Sequence, residues 1–228
     1  MTTVVFNRAF NLETIDFADF LDGNVDFFGS SSTMIHVFDG KYDAYIGGEN
    51  FDPFSLTGTI HSVRAQVNDH DLFTATDLNV DLGEAWAARN DDAALKEIFF
   101  GGNDSFIGSR LGDTIAGFDG ADRIKGGKGD DHLTGGAGGD VMSGGLGADT
   151  FVYTDAGDSV KGAVDRIFDL NDAEDSIDLT ALNVNKAPKV TYNEITDVTT
   201  FGVYIAGDGH AGVDMIITAR GDHTDFVF

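Results

Sequence analysis

At 228 residues, 42% of them hydrophobic, the chain is long enough for one extended domain or for two or three small ones with packed cores. Fourteen Lys and Arg against 39 Asp and Glu leave a formal net charge of −25, which argues against nucleic acid or an anionic membrane surface as a partner and favours cations. There is no cysteine, which excludes a disulfide framework, a thiolate metal site and a thiol nucleophile.

The chain opens with MTTVVFNRAF, which lacks the basic start and long apolar stretch of a general secretory signal. No window approaches the ~18 apolar residues of a membrane-spanning helix. If the protein leaves the cell, it uses another route. Up to about residue 84, short β-like runs such as TMIHVF (33–38) and TIHSVRAQV (59–67) alternate with Gly, Asn and Asp turns. From Glu84 to Phe100 the character changes: Ala85, Ala88, Leu95, Ile98 and Phe99 fall near helical spacing, predicting one helix that leads into the centre of the chain. Residues 1–98 are therefore read as a β-rich N-terminal domain ending in a helix.

A fixed period then takes over. The segments FFGGNDSFI (99–107), GSRLGDTIA (108–116), GFDGADRIK (117–125), GGKGDDHLT (126–134), GGAGGDVMS (135–143) and GGLGADTFV (144–152) align as nine-residue repeats. Asp stands sixth in each, as Asp104, Asp113, Asp122, Asp131, Asp140 and Asp149. An apolar residue stands eighth: Phe106, Ile115, Ile124, Leu133, Met142 and Phe151. The chain holds 30 Gly but only 2 Pro, so these glycines serve defined turns rather than a flexible linker. Glycines at alternate positions let six residues turn through backbone conformations that side chains forbid, with carbonyl oxygens facing the turn. The last three residues of each repeat make a short strand with one side chain pointing inward.

Two repeats complete one coil, which stacks Asp104, Asp122 and Asp140 on one edge and Asp113, Asp131 and Asp149 on the other. Carboxylate and carbonyl oxygens suit a hard cation. Calcium, which takes 6 to 8 oxygens at about 2.3–2.6 Å, can bridge successive turns, whereas magnesium demands a tighter octahedron. One apolar residue in nine is too little burial to order the chain, so the repeats are expected to fold only with the metal.

These repeats resemble the RTX calcium-binding nonapeptide, Gly-Gly-x-Gly-x-Asp-x-apolar-x. The stretches DRIFDL (165–170) and DSIDLTAL (175–182) are similar to the segment capping the roll in serralysin-type C-terminal domains. The final Asp225-Phe226-Val227-Phe228 is similar to their terminal export signal. The resemblance implies release by the type I secretion machinery of a Gram-negative bacterium and folding on calcium outside the cell. It also implies calcium ligation by the six repeat aspartates and by the carbonyls of Gly102, Gly120, Gly127, Gly129, Gly136, Gly138, Gly145 and Gly147. About four ions are expected, bridging 104/122, 113/131, 122/140 and 131/149. Repeat one departs from the pattern with Phe99-Phe100, and repeat two with Leu111 fourth and Gly112 after it, so the 113/131 site is expected to be the weakest.

The fold expected is mainly all-β: an N-terminal β-rich domain (1–98), a parallel calcium β-roll (99–152) and a β-rich C-terminal cap carrying the secretion signal (153–228), with one short linking helix. Neither HExxH nor GxSxG occurs, and no glycine-rich phosphate loop opens a helix, which excludes a zinc protease of the serralysin kind and an ordinary α/β-hydrolase lipase. Gly157-Asp158-Ser159 is similar to one esterase nucleophile block but follows the repeats and reads as a turn. His36, His61 and His70 with Asp69 and Asp71 have no spacing that decides for a metal. The runs from Val4 to Leu82 are faintly similar to heme-scavenging hemophores, yet Thr57-Gly58 stands where those place a ligating tyrosine. The function expected is extracellular calcium binding, with the N-terminal domain as an interaction or adhesion module for an unknown ligand. An enzyme with its active site in that domain, or a surface-layer or biofilm component, is the alternative.

Overall fold

The computed structural model describes residues 3–6, 24–26, 34–38, 43–52, 57–67, 70–88, 91–205 and 215–223. The described part is mainly β. β1 (Thr3–Phe6), β2 (Asn24–Asp26), β3 (Met34–Phe38), β4 (Asp43–Asp52), β5 (Thr57–Val67) and β6 (His70–Asp81) form the N-terminal strands. β2 to β6 make an antiparallel meander, and β1 returns to pair with β6. Ile46, Ile60, Val63, Ala75, Leu78 and Val80 are buried in this part.

The single helix expected between Glu84 and Phe100 is instead two short ones, α1 (Leu82–Ala87) and α2 (Asp92–Phe100). The break follows from Asp91, whose extended backbone and side-chain bond to the Ala94 N–H at 3.1 Å start a new helix. An N-cap aspartate satisfies a donor that an unbroken helix would use elsewhere. α2 places Leu95, Phe99 and Phe100 inward. Phe100 stacks on Phe118 at 6.1 Å and meets Phe106 edge-on at 6.0 Å, closing the first end of the repeat core. Phe100→Ala is expected to cost about 3–5 kcal/mol, read as a lower denaturant midpoint of the calcium-loaded chain.

The repeats form two facing parallel ladders. One contains β7 (Ser105–Ile107), β9 (Arg123–Lys128) and β11 (Val141–Leu146); the other β8 (Thr114–Ala116), β10 (His132–Thr134) and β12 (Thr150–Val152). Each strand buries its middle apolar residue, from Phe106 to Phe151, so the sixth-and-eighth pattern becomes one stacked core.

Both ladders run on past residue 152. β13 (Asp165–Ile167) pairs with β11, and β14 (Ser176–Asp178) with β12, bringing Ile167 and Ile177 onto the core stack. β15 (Val184–Asn193), β16 (Val198–Ile205) and β17 (Met215–Arg220) are an antiparallel meander joined to β13 through β17. β15 was not legible as a strand; it tolerates Pro188 because it lies at the sheet edge. At the other end β1 pairs in parallel with β7, so one 13-stranded sheet runs from the meander through the roll to β15.

Candidate metal centre

The coil geometry sets the aspartates. Each carboxylate reaches one coil back, where its Oδ1 accepts the backbone N–H of the aspartate above. On one edge the Asp104 N–H donates to Asp122 at 2.7 Å and the Asp122 N–H to Asp140 at 2.8 Å. On the other the Asp113 N–H donates to Asp131 at 2.8 Å and the Asp131 N–H to Asp149 at 3.0 Å. The second oxygens differ in kind: Oδ2 of Asp122, Asp131, Asp140 and Asp149 is buried and makes no hydrogen bond. Four buried carboxylate oxygens without donors are costly unless a cation joins them.

The glycines complete the setting. A side chain on Gly126 would collide with Oδ2 of Asp131, with the Gly144 carbonyl oxygen 2.7 Å from the same point. The missing side chain is therefore a cradle flanked by a carboxylate and a carbonyl oxygen. Gly117 has the same arrangement from Asp122 and Gly135. Gly136 shows the backbone requirement: its φ is 91°, and a Cβ there would overlap the Phe118 carbonyl. Gly120, Gly127, Gly129, Gly138, Gly145 and Gly147 share positive φ, whereas Gly102 does not. The first-position carbonyls of Gly135 and Gly144 were missed, because sequence shows where glycine stands but not which carbonyl faces the turn.

Repeat two is different, as its sequence suggested. Asp113 Oδ2 accepts the Ser109 N–H at 2.6 Å, and Ser109 Oγ closes on Leu111. The turn therefore satisfies itself where its neighbours leave an oxygen bare.

Two further aspartates join the ladders. Asp165 accepts from the Asp140 N–H at 2.8 Å and Asp175 from the Asp149 N–H at 3.0 Å, across separations of 25 and 26 residues. Asp165 is fully buried, and its Oδ2 has the Tyr153 phenol beside it but no hydrogen bond of normal geometry. Asp175 Oδ2 accepts the Asn171 N–H at 2.8 Å.

Burial dominates the electrostatics, with like charges adding to it. It pushes Asp122 up to about 8, where Asp140 and Asp104 repel the charge further. It pushes Asp131 to about 7 beside Asp149 and Asp113, and Asp140 to about 6 beside Asp158. Asp165 rises to about 8, and Asp149 and Asp175 are also raised. These sites favour either a proton or a cation.

Among the described residues no three His, Cys, Asp or Glu side chains converge as a metal site by themselves. An ion on the roll must therefore draw on backbone carbonyls as well as carboxylates, which suits calcium more than a transition metal. Among the described residues the other histidine candidates stand at separate register positions. His61 Nδ1 lies 3.2 Å from the Leu78 carbonyl, His36 stands opposite Tyr45 on β4, and His70 stands opposite Val67. Asp69 lies outside the described residues. Ser159 is fully buried; its hydroxyl donates to the Ile216 carbonyl and accepts the Asp165 N–H at 2.8 Å. It is a structural turn, not a nucleophile.

This geometry defines a parallel β-roll with aspartate ladders. Residues 116–151 match the RTX calcium-binding nonapeptide repeat in four copies, so the chain carries calcium-binding repeats of that type. Two solved structures are similar: the AlgE6R3 and AlgE6R2 subunits of the Azotobacter vinelandii mannuronan C5-epimerase. AlgE6R3 is 30% identical, with 54% of this chain and 74% of that one covered and a TM-score of 0.47. AlgE6R2 is 26% identical, with 56% and 84% covered and a TM-score of 0.45. No curated protein matches the chain. Among the described residues no helix is long and apolar enough to cross a membrane.

Proposed function

We propose that the chain is an extracellular calcium-binding protein whose roll folds when calcium fills its turns. The observation that carries this reading is the row of buried Oδ2 atoms on Asp122, Asp131, Asp140 and Asp149, each without a hydrogen-bond donor. Calcium, when bound, supplies the positive charge that these oxygens lack. The ligands are Asp104, Asp113, Asp122, Asp131, Asp140 and Asp149, with turn carbonyls including those of Gly102, Gly120, Gly127, Gly129, Gly136, Gly138, Gly145 and Gly147. The first-position carbonyls of Gly135 and Gly144 join them, and Asp165 extends one edge by a further rung. The 113/131 turn is the weakest, because Ser109 already occupies Asp113 Oδ2.

Calcium-dependent folding fits export by a type I secretion machinery. The chain crosses unfolded where calcium is scarce and folds where it is abundant. Asp225 to Phe228, the segment similar to an export signal, lies outside the described residues. The N-terminal sheet is then an interaction or adhesion module. Equilibrium dialysis of the full chain tests the metal assignment: about four or five calcium ions per chain are expected at saturation, and one or none would refute it. Co-expression with a type I exporter tests the export: release into the medium must depend on the exporter, and equal release without it would contradict the route.

A further inference from the structure

One row of apolar residues crosses the long sheet from the N-terminal strands into the roll. In register it passes through Val63 on β5 and Ala75 on β6, then Val4 on β1, then Phe106, Ile124 and Met142 on β7, β9 and β11. Val63, Ala75, Phe106, Ile124 and Met142 are all buried. β1 lies between the two halves of this row. It pairs antiparallel with β6, from Thr3 opposite Thr76 to Phe6 opposite Phe73, and parallel with β7, from Thr3 beside Ser105 to Val5 beside Ile107. Its two neighbours are held differently. β6 has β5 along its other edge and is anchored within the N-terminal meander. β7 has three residues and is seated from the roll: it pairs with β9, and the Asp104 N–H just before it donates to Asp122 Oδ1 at 2.7 Å. Oδ2 of that same carboxylate is buried without a donor, so β7 is aligned by a group that is settled only when a cation joins it.

We infer that β1 is a calcium-dependent stitch, which closes the β6 edge of the N-terminal sheet only when the first coil of the roll is filled; this regulation rests on the calcium reading above. With β7 unformed, β1 keeps one neighbour. A four-residue strand with one neighbour makes few hydrogen bonds to offset the entropy of ordering it. With β7 formed, the same four residues are bonded on both sides, and one ordering cost is shared by two ladders. When β1 leaves, β6 presents a row of open N–H and C=O groups along that edge. The N-terminal sheet is therefore a follower of the roll. The coupling is reciprocal: whatever holds β1 on β6 also favours calcium binding. α2 joins the same two parts through the buried Leu95 and Phe100, but it gives β6 no ladder hydrogen bonds.

Hydrogen exchange of the full chain, followed amide by amide by nuclear magnetic resonance in saturating calcium and in chelator, tests this coupling. Along Phe73 to Thr76 alternate amides face β1 and β5. Those facing β1 are expected to exchange about tenfold or more slowly with calcium, while those facing β5 change little. Val4→Pro removes an N–H and obstructs pairing in the middle of β1. In that variant the calcium effect on the β1-facing amides should vanish, while circular dichroism still shows the roll gaining β signal on calcium. Equal exchange of the wild-type β1-facing amides in both conditions would overturn the stitch. Equal slowing at both edges would also overturn it, because the whole sheet would then fold with calcium. A calcium effect that survives in Val4→Pro would assign the coupling to α2 instead. Should Val4→Pro lose its β5-facing protection as well, its N-terminal sheet has unfolded and the wild-type comparison decides. A failure of the calcium reading itself appears separately, as a circular dichroism signal that calcium does not move.

Discussion

Asp122→Asn is expected to move stability in opposite directions with and without calcium. Asparagine keeps an oxygen for the Asp104 N–H, the 2.7 Å bond that aligns two coils. It replaces the bare Oδ2 by an amide nitrogen and removes a charge. Without calcium this relieves the chain of a buried carboxyl that burial and the flanking Asp140 and Asp104 hold up at about 8. The metal-free roll is then less disfavoured at neutral pH, read as more β signal by circular dichroism in chelator than the wild type shows. With calcium the variant loses a charged ligand shared by two turns. Its calcium midpoint should rise by more than the ~10–100-fold typical of a partner one step removed from a metal. A variant weakened equally in both states would show that Asp122 serves the backbone ladder alone.

Acidification is expected to substitute in part for calcium. Asp122 and Asp165 at about 8, Asp131 at about 7 and Asp140 at about 6 all lie above an ordinary carboxyl. A carboxyl whose folded pKa is raised contributes stability below its unfolded value of about 4 and loses that contribution as pH rises through the folded value. The metal-free roll is therefore favoured by protons, and the support disappears between about pH 4 and pH 8. Chelated protein taken from about pH 8.5 to about pH 5.5 should gain β structure and a higher melting temperature. Over the same interval the calcium midpoint should shift to higher concentration, because each ion displaces protons. Urea and calcium titrations at both pH values check the two signs. A chelated chain that loses structure on acidification would contradict the assignment of these raised carboxyls to the folded roll.

The roll was legible because its period is strict: one Asp and one apolar residue in every nine residues fix which groups stack and which face inward. Asp165 and Asp175 carry the same role without the period. The turns from Tyr153 to Val164 and from Phe168 to Glu174 stretch the separation from 18 residues to 25 and 26, so only the fold shows them on the ladders. Asp113 was readable as the odd member from Leu111, although the agent is Ser109, whose N–H takes the free oxygen. The split at Asp91 was hidden because Ala88, Leu95 and Phe99 keep helical spacing across it, and apolar spacing does not report a cap. The parallel pairing of β1 with β7 joins residues about a hundred apart, a contact that no local pattern encodes.

The most direct test of the central claim is a calcium titration of the full chain from chelator to millimolar calcium, followed by far-ultraviolet circular dichroism. The account predicts a cooperative gain of β signal between micromolar and millimolar calcium, reversed by chelator. A chain already fully folded in chelator and indifferent to calcium would contradict it.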